Sequence, residues 1–167
     1  KEEFDLSICD NIFNGIDFGF ADDPTAFIRV HYDSKRKVIY ILDEFYERGM
    51  FIDEVAGELK QIIGNEQITC DSSEPRSIAD LKRNGLRATG AKKGPGSVEH
   101  GIKWLQGHKI IVNPSCINLI KELTAYKWRE DKDGNIIPKP VDANNHLIDA
   151  LRYALESEMV NKEKWGW

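Results

Sequence analysis

The spacing of apolar residues divides the chain into strand and helix segments. Apolar runs and alternations predict strands over residues 11–20, 25–32 and 38–46, with a polar turn at 33–36. The period then becomes helical from Ile52 to Ile63, and Gly64 ends the run. Shorter segments follow: a strand over 67–70, a helix over 75–84, a strand over 86–89, a helix over 97–105, a strand over 109–112 and a helix from Ser115.

The last part of the chain predicts a hairpin and a closing helix. Asp133-Gly134, inside the segment Trp128–Pro138, is a strong hairpin turn signal. Asn144 then opens a helix with apolar residues at helical spacing. This order predicts an α/β fold: a mixed sheet with its first three strands antiparallel and later ones parallel, helices on both faces and an added β-hairpin.

Composition narrows the class of protein. A chain of 167 residues with 41% hydrophobic and 31% charged residues suits one globular domain and excludes a disordered or fibrous one. No apolar run is long enough for a membrane span. Cys9, Cys70 and Cys116 are odd in number and lack CxxC spacing, which favours buried thiols in a reducing compartment over a zinc or disulfide framework.

Charge is unevenly distributed along the chain. The net charge is −5, yet residues 82–109 hold seven basic residues and one acidic residue, so this stretch carries +6 and the remainder about −11. A basic flank beside an acidic pocket is what an enzyme that holds phosphates and binds cations needs. A solvated lysine-rich surface is the alternative.

Two aspartates fall on predicted core strands. Asp17 is expected in mid-strand, on the face shared with Gly15 and Gly19, where the glycines leave room for an ion. Asp71 ends the strand over 67–70, and sites in α/β sheets gather at the carboxyl ends of strands. The alternatives are a solvent-facing Asp17 and a turn or cap role for Asp71.

A third aspartate lies in the closing helix. His146 and Asp149 are three residues apart and share a helix face, which Ala150 and Tyr153 continue. Ala150 and Ala154 are small enough to let the helix approach the sheet closely. The alternative is a solvated Asp149 paired with Arg152 or Tyr153.

Together the three aspartates provide the ligands that two-metal phosphodiester hydrolysis requires. Carboxylate oxygens suit Mg²⁺ or Mn²⁺. Two ions about 3.5–4 Å apart activate water and stabilise the leaving oxygen. We therefore expect Asp17, Asp71 and Asp149 to converge on one pocket.

Four segments resemble motifs of one family, the nuclease domains of tailed-bacteriophage terminase large subunits in the ribonuclease H-like superfamily. Gly15–Gly19 resembles the first motif, residues 70–81 the second, residues 92–98 a characteristic loop and residues 144–154 the closing helix. The resemblance extends from about Asn14 to Leu155. The last motif, after the hairpin, is the most specific.

The resemblance implies a metal-dependent DNA endonuclease that cuts concatemeric viral double-stranded DNA during genome packaging by two-metal hydrolysis. The family's catalytic acids match Asp17, Asp71 and Asp149, which would bind two divalent cations, Mg²⁺ or Mn²⁺. His146 matches the position beside the last acid and is expected to support catalysis. Asp142 is a further acid near this helix, and we expect it to have a surface role at the end of the hairpin, the alternative being a further metal ligand.

A glycine-rich loop is the expected DNA contact. Lys92 and Lys93 precede Gly94–Gly96, and Ser97 is expected to cap the next helix. Glycines allow close approach to a ligand, and a helix start attracts phosphate. We therefore expect both lysines to hold the DNA backbone, the alternative being a flexible lysine-bearing turn.

The resemblance also implies a larger protein. The chain begins with Lys1 and has no GxxxxGK[ST] motif, so we expect an N-terminal ATPase domain before it, acting with the small terminase subunit and the portal protein. We expect residues 1–11 to be a linker remnant, 12–160 the terminase nuclease domain and 161–167 a C-terminal tail. The isolated domain should be a monomer in the host cell cytoplasm, without membrane contact.

Two other functions stay open. One is a different ribonuclease H-like nuclease, such as a junction resolvase or a transposase-like enzyme. The other is a catalytically inactive DNA-gripping module of a packaging motor. The hairpin and the Asn-Asn-His helix favour a terminase nuclease over a resolvase or transposase-like enzyme. The presence of all three acids favours an active nuclease over an inactive gripping module.

Overall fold

A mixed six-stranded sheet forms the centre of the molecule. The structure is a computed structural model, and it describes residues 10–19, 23–92, 97–125, 128–130, 136–140 and 145–160. The strands of the sheet are β1 (Ile12–Asp17), β2 (Thr25–Asp33), β3 (Val38–Glu47), β4 (Gln67–Cys70), β5 (Arg87–Gly90) and β6 (Lys109–Val112).

The order of strands across the sheet is β5-β4-β1-β2-β3-β6. β1, β2 and β3 are antiparallel, whereas β4, β5 and β6 each pair in parallel with a neighbour. The predicted mixed sheet is therefore confirmed. The predicted hairpin is present as β7 (Trp128–Glu130) antiparallel to β8 (Ile136–Pro140), and its Asp133-Gly134 turn lies outside the described residues.

Helices cover both faces of the sheet, as predicted. One hydrophobic cluster lies under the first two helices and includes Leu59, Ile68 and Leu81, and the other lies under the later helices and includes Ile28 and Leu151. The buried thiols of Cys70 and Cys116 belong to these clusters. The helices are α1 (Ile52–Ile63), α2 (Pro75–Arg83), α3 (Ser97–Gln106), α4 (Ile117–Ala125), α5 (His146–Ala154) and α6 (Glu156–Val160).

Two of the element boundaries that differ from prediction do so for identifiable reasons. β1 ends at Asp17 instead of residue 20, because pairing with β2 stops there and the Gly19 N–H donates to the Thr25 hydroxyl over 3.0 Å. Asp17 is therefore at the end of its strand and not in its middle. α4 begins two residues after Ser115, whose N–H and hydroxyl donate to the Asn113 side chain in a turn.

The closing helix lies directly on β1. A side-chain carbon added to Gly15 would overlap the carbonyl oxygen of Ala150 and lie 2.9 Å from the Cβ of Ala154. The small residues predicted to let this helix approach the sheet do so at this point. The predicted single helix is interrupted at Leu155, after which α6 begins.

Candidate metal centre

Asp17 ends β1 and Asp71 follows β4, two neighbouring parallel strands, at the same edge of the sheet. β1 and β4 pair with Ile16 opposite Cys70, and the Asp71 N–H donates to the Ile16 carbonyl over 3.2 Å. Asp17 is the next residue along β1, so the two aspartates lie side by side in sequence register. Ligand sites of open α/β sheets gather at this edge.

His146, the first residue of α5, faces Asp17. Its Nδ1 lies 3.4 Å from Asp17 Oδ2, and its Nε2 lies 3.9 Å from Asp23 Oδ1. The side chain of Asp17 is 13% exposed and that of Asp23 is 67% exposed, so the imidazole connects a nearly buried carboxylate with one in solvent. Asp23 lies between two strands, where no periodic pattern singled it out.

Asp149 lies one helical turn beyond His146 and carries its own counter-ion. Arg152 Nη2 lies 2.9 Å from Asp149 Oδ1, and the arginine side chain is 10% exposed. The pairing that sequence analysis left as an alternative is therefore present. Because the arginine is nearly buried, its charge offsets part of the negative charge that the aspartates bring to this edge of the sheet.

The hydroxyl of Tyr153 is close enough to the three predicted acids for their charges to affect its pKa. Burial raises the pKa of its hydroxyl well above the ordinary value, and the charges of Asp71, Asp149 and Asp17 raise this pKa further. The tyrosine lies on α5 beside Asp149 and is buried. Carboxylates from three distant parts of the sequence therefore act on one phenol.

The donor chemistry fits a divalent cation, although the described acids are not arranged around a single cation position. Among the residues that the structure describes, no three His, Cys, Asp or Glu side chains are arranged to hold a metal ion. Asp149 instead contacts Arg152, and Ser73 donates its N–H and hydroxyl to Asp71 Oδ1 over 3.0 and 2.9 Å. Carboxylate oxygens with one nearby imidazole are nevertheless ligands that suit Mg²⁺ or Mn²⁺.

Lys92 follows β5 at the same edge of the sheet. Cys70 at the end of β4 pairs with Gly90, and the Ala91 N–H donates to the Cys70 carbonyl over 2.7 Å. Lys92 is exposed, and Ser97 is the first residue of α3 instead of its cap. Lys93, the glycines of the loop and Asp142 lie outside the described residues.

Sequence analysis missed a buried acid on α4. Two apolar residues of this helix, Ile117 and Ile120, are 56% and 39% exposed. Leu119 and Glu122 are buried instead. The only sequence signal was the position of Glu122 one turn after a leucine, which is also common on solvated helices.

The fold and its acidic edge define a domain of the ribonuclease H-like class. Residues 17–157 match the family model described as the terminase RNase H-like domain. The match covers most of the chain, and the chain belongs to this family.

Whole terminase subunits are similar over the same region. The large terminase subunit of Bacillus phage SPP1 is 43% identical over 155 residues, covering 90% of this chain and 37% of that protein. The PBSX phage terminase large subunit of Bacillus subtilis is 35% identical over 144 residues, covering 85% of this chain and 33% of that protein. The chain therefore spans about a third of the length of these relatives.

Solved nuclease domains have the same fold. The crystal structure of the large terminase nuclease domain from bacteriophage SPP1 with bound Mn has a TM-score of 0.86 and 41% identity, covering 92% of this chain and 89% of that one. The P22 large terminase nuclease domain has a TM-score of 0.70 at 21% identity, covering 90% and 81%, and supports the fold alone.

No helix among the described residues is long and apolar enough to cross a membrane.

Proposed function

We propose that this chain is the nuclease domain of a terminase large subunit and cuts concatemeric viral double-stranded DNA during genome packaging. The observation that carries this proposal is that Asp17 and Asp71 lie at the ends of adjacent parallel strands, with α5 bringing His146 to the same edge. The bound Mn in the similar SPP1 nuclease domain supports a metal-dependent reaction.

Asp17, Asp71 and Asp149 are the proposed metal ligands. They would hold two divalent cations, Mg²⁺ or Mn²⁺, whose chemistry is to activate water and stabilise the leaving oxygen. Asp17 ends β1 and Asp71 follows β4, and these strands are hydrogen bonded to each other, so the sheet constrains the backbone separation of the two aspartates. Asp149 lies on α5, and its position depends on how that helix docks. Ser73 orients Asp71 through its two hydrogen bonds.

His146 has a supporting role in this proposal. Its two ring nitrogens face Asp17 and Asp23, one side nearly buried and the other in solvent. An imidazole in this position can hold a proton near the acids or pass it outward. Its nitrogen facing Asp17 also fixes the orientation of that carboxylate.

Lys92 and Lys93 are the proposed contacts to the DNA backbone. Lys92 follows β5 at the edge where Asp71 follows β4, which supports this placement for the lysine described. Phosphate contacts hold DNA without reading its bases. The +6 charge of residues 82–109 would add to the attraction.

In the full-length protein, the proposed partners are an N-terminal ATPase domain, the small terminase subunit and the portal protein. The length of the similar terminase subunits, of which this chain spans about a third, supports a further domain. The domain alone is proposed to be a monomer acting on double-stranded DNA.

A catalytically inactive DNA-gripping module is the second candidate, because Arg152 already occupies one oxygen of Asp149. Such a module would bind DNA but would not cut it in the presence of Mg²⁺ or Mn²⁺. An active nuclease would exchange this contact for a cation.

Plasmid nicking tests the proposal. The purified chain should nick supercoiled plasmid with Mn²⁺ or Mg²⁺ and leave it intact with EDTA. Asp17→Asn should abolish nicking, whereas Asp43→Asn, in the same sheet but paired with Arg29, should retain it. DNA binding without cutting under either cation would favour the gripping module, and preferential cutting of branched DNA would favour a resolvase.

A further inference from the structure

The carboxylate of Glu122 on α4 accepts hydrogen bonds from backbone N–H groups in the first turn of α5. The Leu147 N–H lies 3.0 Å from each carboxylate oxygen, and the Ile148 N–H lies 3.0 Å from Oε1. Glu122 is 7% exposed, and burial raises its pKa to about 7 while these N–H groups oppose the shift. A buried carboxylate is costly unless it is hydrogen bonded, so these contacts are what make its burial tolerable.

This contact does more than cap the N-terminus of α5. Asn145 at the N-cap of α5 makes no side-chain capping hydrogen bond. A cap from the helix's own chain neighbour leaves the helix free to move as a body, whereas an acceptor on another element fixes its position. Glu122 and Leu147 are 25 residues apart in sequence and belong to different helices.

The helix that carries Glu122 is fixed to the sheet by a similar contact. Glu44 on β3 accepts the N–H of Asn118 over 3.0 Å and that of Leu119 over 2.9 Å. These two residues lie in the first turn of α4. The sheet therefore holds α4, and α4 holds the start of α5.

The two residues that donate to Glu122 are those between His146 and Asp149. A displacement of their N–H groups would therefore move both site residues together. We propose that Glu122 is a positioning residue of the metal centre, which holds α5 where His146 meets Asp17 and where Asp149 lies one turn further along the same helix. This inference rests on the proposed function, because it assumes that these residues bind a cation.

A role in stability alone would have a different consequence. Glu122→Gln keeps the length of the side chain but directs an NH₂ group toward backbone donors, so it should lower the melting temperature. Leu59, fully buried on α1 at the opposite face of the sheet, offers a control in Leu59→Val. If Glu122 only stabilises the fold, variants with similar melting temperatures should bind Mn²⁺ equally.

Mn²⁺ affinity separates the two roles. Calorimetric titration without DNA at pH 8, where the Glu122 carboxyl is largely ionised, should show Mn²⁺ binding roughly 10- to 100-fold weaker in Glu122→Gln and unchanged in Leu59→Val. The Mn²⁺ concentration for half-maximal nicking should rise by the same factor. The nicking rate at saturating Mn²⁺ should stay within a few-fold of the parent.

Asp17→Asn distinguishes failure of this inference from failure of the proposed function. Loss of Mn²⁺ binding in Asp17→Asn with parental binding in Glu122→Gln would overturn the positioning role alone. Parental binding in Asp17→Asn would overturn both. If Glu122→Gln does not fold, Glu122→Asp, which withdraws the oxygens by one methylene, is judged by the same Mn²⁺ criterion.

Discussion

Gly15 on β1 and Ala154 on α5 are in direct backbone contact. A side-chain carbon on Gly15 would lie 2.7 Å from the Ala154 nitrogen, closer than such atoms approach in folded proteins. Asp17 is two residues away on the same strand face. The absence of a side chain at Gly15 therefore sets how near α5 comes to this aspartate.

Gly15→Ala should displace α5 and damage the metal centre. We expect a loss of roughly 1–3 kcal/mol in the free energy of unfolding, because the added carbon overpacks a closed contact. Nicking should be lost at temperatures where the variant is still folded. Gly57→Ala on α1 is the control, since its added carbon meets no atom within 4 Å, and it should be stabilising by about 0.5–1 kcal/mol. Parental nicking in Gly15→Ala would contradict the prediction.

Arg152→Met should have opposite effects with and without metal. Without metal, removing the guanidinium leaves Asp149 without its counter-ion and should cost roughly 1–3 kcal/mol of unfolding free energy. With Mn²⁺ present, the arginine no longer competes for the carboxylate, so the rise in melting temperature should exceed that of the parent.

Arg36→Met is the matched control for this experiment. Arg36 pairs with Asp33 at the same three-residue spacing, but its side chain is 80% exposed. Its removal should change stability little and leave the Mn²⁺ response unchanged. A Mn²⁺ response that is smaller in Arg152→Met than in the parent would show that the arginine supports the site and does not compete in it.

Periodicity predicted the elements well where the buried face follows from local pattern alone. α1, β4 and β6 begin and end at the predicted residues, and the mixed sheet follows from their order. The side-by-side positions of Asp17 and Asp71 follow from the strand pairing, which the motif resemblance made easier to anticipate.

The contacts that hold α5 could not be predicted in this way. Glu122 pairs with backbone groups 25 residues away, and sequence pattern does not report which helix ends meet in space. The apolar residues of α4 also do not identify its buried face, since Ile117 and Ile120 are exposed whereas Glu122 is buried. Tertiary packing decides which residues of this helix are covered.

Removing metal should destabilise the parent relative to its Mn²⁺ form. A ligand that binds only the folded state raises the melting temperature, so millimolar Mn²⁺ should raise it and EDTA should reverse the rise. Asp71→Asn keeps an oxygen to accept from Ser73 but removes one charge. It should melt at the parental temperature or higher in EDTA, because repulsion among the acids falls, and it should lose the Mn²⁺ response. Asp43→Asn should retain the response.

Replacing both loop lysines should weaken DNA binding without changing sequence preference. For the Lys92→Ala/Lys93→Ala pair, the dependence of log affinity on log salt should fall by roughly one unit per lost phosphate contact. Lys35→Ala/Arg36→Ala removes two exposed charges from the β2–β3 turn, at the end of the sheet opposite Asp17, and is the control. Parental binding by the loop variant at every salt concentration would exclude a DNA role for the loop.

His146 and Asp17 meet across 129 residues of sequence. A ribosome completes β1 and β4 long before it reaches α5, so a nascent chain holds both strand aspartates without the helix that completes the site. Contacts this distant in sequence form late, since the intervening chain must close first. A product that stops before α5 therefore lacks His146 and Asp149 of the proposed site, and we expect it to leave DNA uncut.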